Sequence, residues 1–240
     1  MFNKTIESER TPHRRSFLQL VGVAGVTAGI VPFPGTALAA ELHDHTTVAA
    51  VSGVAESQTR SAKTSHTAAV LRDLWVGHIF WVRNVSIAIF NTNDAAMKAA
   101  EGQAVSNAKS IAATIEPFYG VAAKEAFFKL LAGHYGAVKA YLVATASGDA
   151  SAQANATQSL TSNAEEIAVF LSKANPYLQK DALHSLLLAH GGHHIRQIQE
   201  LKDRKYDAEA KTWEDMKDHI YQIADATADA LAKQFTKEFS

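Results

Sequence analysis

Three histidines recur at one interval in this chain. His78, His134 and His190 stand 56 residues apart, and each follows a small residue: Gly77, Gly133 or Ala189. A neutral imidazole is a good ligand for Zn²⁺ and for copper, and three around one ion leave a fourth position open. A second set keeps the same interval: Asn107, Asn163 and His219. These could orient the histidines or take the fourth position. His190 is followed by His193 and His194. Residues three and four apart share a helix face, so His194 is a further alternative ligand. Asp215, one helical turn before His219, could accept from that ring.

Two chemistries fit this pattern. In a metal centre, the nitrogens of His78, His134 and His190 must lie within about 4 Å of one another to share one ion. The rings must also be neutral, so affinity is expected to fall as the pH drops below ~6.5. In a hydrogen-bonded layer that fixes helix register, the pairs are instead His78 with Asn107, His134 with Asn163, and His190 with His219. A buried polar group left alone costs about 1–3 kcal/mol, so the six must satisfy one another or a ligand.

Helices must carry these residues. From Ser65 onward apolar side chains recur at three and four, as in Leu71, Leu74, Trp75, Val82, Val85 and Ile89. The pattern predicts helices over 66–91, 94–116, 121–146, 150–174, 178–204 and 208–237. Turn-forming stretches separate them: Asn91-Thr92-Asn93-Asp94, Pro117-Phe118-Tyr119-Gly120, Ser147-Gly148-Asp149 and Asn175-Pro176. Leu74, Leu130 and Leu186 keep the 56-residue step, as do Ile111, Ile167 and Ile223, and Ala112, Ala168 and Ala224. The expectation is an all-α domain over 65–238. Six antiparallel helices would form three repeated hairpins, 64–119, 120–177 and 178–238, with turns near residues 92, 148 and 205. The members of each His/Asn pair are equidistant from their turn, which puts all six in one layer. Trp75, Phe80, Trp81 and Tyr135 fall at helical spacing and read as core aromatics.

Composition narrows the chemistry further. The chain has 240 residues and no cysteine, which excludes disulfides, thiolate metal sites and cysteine nucleophiles. Five prolines and 13 glycines are few for a strand-and-turn protein. Beyond residue 39 there remain 19 basic and 22 acidic residues, with no basic stripe, so nucleic acid is a poor partner. No Glu-x-x-His, His-Glu-x-x-His, G-x-S-x-G, phosphate loop or dinucleotide fingerprint occurs.

The N-terminal region reads as a targeting segment. Arg14-Arg15-Ser16-Phe17-Leu18-Gln19 resembles the twin-arginine signal; an apolar stretch to Val31 and Ala37-Leu38-Ala39 follow. This predicts a signal peptide over 1–39, a flexible lead over 40–64, and export to the periplasm with no membrane span left after processing. A cut one residue later, after Ala40, would make His43 the third residue, where it could bind Cu²⁺ with the terminal amine. His78-Ile79-Phe80-Trp81-Val82-Arg83, Pro117-Phe118-Tyr119-Gly120 and Asn175-Pro176 resemble an uncharacterised family of exported bacterial helical proteins. The resemblance covers most of residues 70–238. It implies a helical fold and carries over no catalytic residue. The expected function is an exported binding protein holding a metal ion, Zn or Cu, or a small ligand in its His/Asn layer. The alternatives are a metal-dependent hydrolase with an open three-histidine centre, or a structural protein whose layer only sets register.

Overall fold

The computed structural model describes residues 60–240; the signal segment 1–39 and residues 40–59 of the lead lie outside the described residues. Seven helices and no strand make up the described part: α1 (Ala62–Phe90), α2 (Asp94–Ala113), α3 (Glu116–Ser147), α4 (Ala150–Ala174), α5 (Lys180–Lys202), α6 (Tyr206–Gln234) and a short α7 (Thr236–Phe239).

Local chemistry sets the helix ends. The Ser61 hydroxyl accepts from the Thr64 amide and starts α1 four residues earlier than the apolar spacing predicts. Arg60 donates twice to Asp229 of α6 at 2.7 Å, so residues 60–64 of the predicted lead belong to the helical body. Asn93 and Asp149 cap α2 and α4 in the same way as Ser61, accepting from Ala96 and Ala152. The turns between α1 and α2, α3 and α4, and α5 and α6 each hold one residue in the left-handed region: Thr92 (φ 52°), Gly148 (φ 73°) and Arg204 (φ 58°). These three keep the 56-residue step. The two helices joined by each of these turns pack together.

The predicted turn at 117–120 is different in form. Pro117 sits in the first turn of α3, where its missing N–H is no loss, and the helix breaks only at Gly120, with φ 81° and ψ 174°. Glycine alone accepts that backbone without strain.

The apolar core has two parts, and the histidines lie between them. One contains Leu71 and Trp75 of α1, Phe127 and Leu131 of α3, and Leu183 and Leu187 of α5. The other contains Val82 and Val85, Val138 and Leu142, and Ile198 of the same three helices. His78, His134 and His190 fall where each helix passes from one part to the other. Ala112, Ala168 and Ala224 are all fully buried, which lets α2, α4 and α6 approach the centre closely. Of the predicted core aromatics only Trp75 is buried. Phe80 is 43% exposed, with Trp81 edge-on against it, because its position on α1 faces away from α3 and α5.

Candidate metal centre

α1, α3 and α5 bring His78, His134 and His190 together, and α5 adds His194 one turn on. One ligand nitrogen from each of these four lies within 4.8 Å of the others, and all four side chains are buried. Their exposures are 5%, 6%, 1% and 1% in that order. The imidazole centroids of His190 and His194 are 4.5 Å apart, and the Nε2 atoms of that pair approach to 3.2 Å. The other five centroid separations run from 5.4 Å, His134 to His190, to 6.0 Å, His134 to His194. Four imidazoles on one ion at about 2.05 Å would put centroids about 5.2 Å apart in a tetrahedron. The nitrogens need to draw in by about an ångström to reach that state.

Hydrogen bonding leaves the cluster unsatisfied. Nε2 of His78, Nε2 of His134, Nδ1 of His190 and Nδ1 of His194 are buried without a partner. The expected pairs within each hairpin do not form. Asn107 instead donates to the Leu74 carbonyl at 2.9 Å, Asn163 to the Leu130 carbonyl at 3.0 Å, and His219 Nε2 meets the Leu186 carbonyl at 2.8 Å. Each of those carbonyls lies one helical turn before a cluster histidine. Gly77 and Gly133 leave the backbone open to each amide, so a second lone pair on the carbonyl takes the bond in place of the imidazole. Asn107, Asn163 and His219 therefore stand outside the cluster and fasten the turns that carry it.

The small residues before the histidines make these ties possible. A Cβ on Gly77 would lie 2.8 Å from the Asn107 amide nitrogen, and one on Gly133 would lie 3.3 Å from that of Asn163. At the third position of the 56-residue series Ala189 precedes His190, and His219 offers an imidazole in place of an amide.

Burial keeps the cluster neutral. Desolvation pushes His78 down to about 3, with His134 nearby adding to the shift. Desolvation likewise pushes His134 down to about 4, opposed in part by the adjacent Asn163 amide, although the two do not meet as a hydrogen bond. His190 and His194 are pushed well below the usual histidine range, first by desolvation and then by the other imidazoles. At neutral pH the site is four uncharged nitrogen donors in an apolar surround.

His194 stood in the sequence only as an alternative ligand. Its i, i+4 spacing from His190 was the available signal. The 56-residue logic is silent about it, because the corresponding positions are Val82 and Val138. A second polar group went unforeseen. Glu209, 2% exposed, takes two bonds from Arg83 at 2.6 and 2.7 Å and one from buried Gln197 at 2.8 Å. At the 56-residue step Arg83 aligns with Lys139 and Ile195, Gln197 with Tyr141 and Val85, and Glu209 with Gln153 and Met97, so no repeated ion pair marks it. Asp215, expected behind His219, is bound instead by Lys211 and Arg196, and the Lys211 ammonium holds its carboxyl below the usual range.

An apolar cavity beside the layer, walled by Trp75, Phe127, Leu183 and Leu187, measures about 20 Å³. That is one water's worth of room. Comparison of the chain with protein families, with curated proteins and with solved structures gives no match.

Proposed function

We propose that this is a metal-binding protein that works outside the cytoplasm and holds one ion among His78, His134, His190 and His194. The observation that carries the reading is the convergence of four neutral, buried imidazoles, with Nε2 of His78 and of His134 buried without a partner and the Nε2 atoms of His190 and His194 meeting only each other. An orphaned buried nitrogen costs about 1–3 kcal/mol, and a shared ion would offset that cost at His78 and His134. A small organic ligand has less support, since the adjoining cavity holds no more than a water. The hydrolase reading also has less support. Water activation needs an open ligand position with a base beside it. Here a fourth imidazole stands where the open position would be, and the buried carboxylate of Glu209 is committed to Arg83 and Gln197. Asn107, Asn163 and His219 take the register-fixing role. Export rests on the Arg14-Arg15 segment.

The test is elemental analysis of untagged protein isolated from its exported pool. One equivalent of Zn or Cu per chain is expected in the wild type. The His78→Ala, His134→Ala, His190→Ala variant should carry none. A metal-free wild type that shows no thermal shift with Zn²⁺, Cu²⁺ or Cu⁺ would sink the reading.

A further inference from the structure

We infer that the ion selected by the four-histidine core is monovalent copper, Cu⁺, in preference to Zn²⁺ or Cu²⁺; this rests on the metal-binding reading of the same site. Geometry makes the first selection. A square-planar arrangement would give four centroid separations of about 4.5 Å and two of about 6.4 Å, the pattern that tetragonal Cu²⁺ favours. The observed set has one short separation, 4.5 Å, and five between 5.4 and 6.0 Å. That is the spread of a distorted tetrahedron and suits ions with a filled d shell, Zn²⁺ and Cu⁺.

Charge makes the second selection. All four donors are buried imidazoles, and no carboxylate is among them. Glu209, fully buried, is already neutralised by Arg83. An ion entering this core keeps its full charge, and the penalty for burying a charge rises as its square, so a divalent ion bears about four times the penalty of a monovalent one.

The outward-facing nitrogens agree. A divalent ion polarises its imidazoles and calls for a carboxylate or carbonyl on each distal N–H. Nδ1 of His190 and Nδ1 of His194 have neither. A monovalent ion polarises the rings less and tolerates that lack.

The experiment is a competition on the metal-free full chain at neutral pH under anaerobic conditions. Cu⁺ is buffered by a chromogenic Cu⁺ chelator, Zn²⁺ by a zinc chelator, and bound metal is counted after dialysis. Cu⁺ is expected to bind with one equivalent and to exceed Zn²⁺ in affinity by about a hundredfold or more. His194→Glu keeps four donors and adds one negative charge, so its preference should move toward Zn²⁺ by at least about tenfold. Wild type that takes Zn²⁺ from an equimolar mixture overturns the inference and leaves the metal-binding reading standing. A folded His194→Glu with an unchanged preference overturns it as well, since charge would not be the selector. Wild type that binds neither ion overturns both. If His194→Glu fails to fold, the wild-type competition decides alone.

Discussion

At the scale of single residues, His134 shows how far a buried polar group can be from a stabilising one. Its Nε2 has no partner, and no hydrogen bond to another side chain depends on it. Had His134 paired with Asn163 as the spacing suggests, truncation would strand that partner. The structure removes that part of the loss and leaves only the void. His134→Leu fills most of the volume and deletes the orphan, so the metal-free variant should melt at or above metal-free wild type, by up to about 1 kcal/mol. With metal the order should reverse, because only the wild type gains from binding. Melting both proteins with and without chelator checks this, and a metal-free H134L that melts well below metal-free wild type would show that the ring makes a contact of its own. His78, His134 and His190 were legible at this scale because two equal intervals, kept also by leucines, isoleucines and alanines, cannot be read as scatter. His194 was half-legible, from local spacing alone. Arg83, Gln197 and Glu209 were not, because a buried ion pair between α1 and α6 depends on which faces meet, and nothing in one strand of sequence states that.

At the scale of helices, the turn residues and caps were readable, and so was the pitch of the apolar face. The end of α1 was not. Ser61 and Arg60 lie in a stretch without apolar periodicity, and their roles come from a cap and from an ion pair to a helix 169 residues away. The partners of Asn107 and Asn163 were also misjudged. Spacing placed each beside a histidine, whereas the contact went to a carbonyl one turn earlier. That contact gives the preceding glycines different tolerances. An alanine in a helix gains about 0.5–1 kcal/mol over glycine. In Gly77→Ala a methyl at 2.8 Å from the Asn107 amide would displace it from the Leu74 carbonyl and lose about 1 kcal/mol or more. In Gly133→Ala the 3.3 Å approach to Asn163 needs only a small shift. Denaturant titration should therefore find Gly133→Ala neutral or stabilising and Gly77→Ala less stable than it by about 1 kcal/mol. Equal stabilities would mean that the Asn107 tie contributes nothing to holding α2 on α1.

At the scale of the whole molecule, the site divides one core into two and makes stability depend on protons. In the unfolded chain the four histidines titrate near ~6.5. In the folded protein His78 is pushed down to about 3 and His134 to about 4, both by burial, and His190 and His194 lie well below the ordinary range. Folded values below unfolded ones mean that the unfolded state binds more protons between them. Stability is then intact above ~6.5 and falls as the pH drops from there toward 3–4, each extra proton steepening the fall by about 1.4 kcal/mol per pH unit. The metal-free protein should lose its helices steeply near pH 5, as followed by circular dichroism. The same values revise the expected pH dependence of binding. Protons were expected to compete with metal below ~6.5, as they would for solvated histidines. Within the folded core they compete only well below that, because burial already holds the rings neutral. Metal should therefore stay bound through pH 6 and 5 and leave only when the helices do, with one midpoint for both. Recording metal release with a chelator indicator alongside the helical signal in one acid titration tests this. Metal lost near pH 6 from a protein still fully helical would place the ion at solvated histidines and not in the four-histidine core.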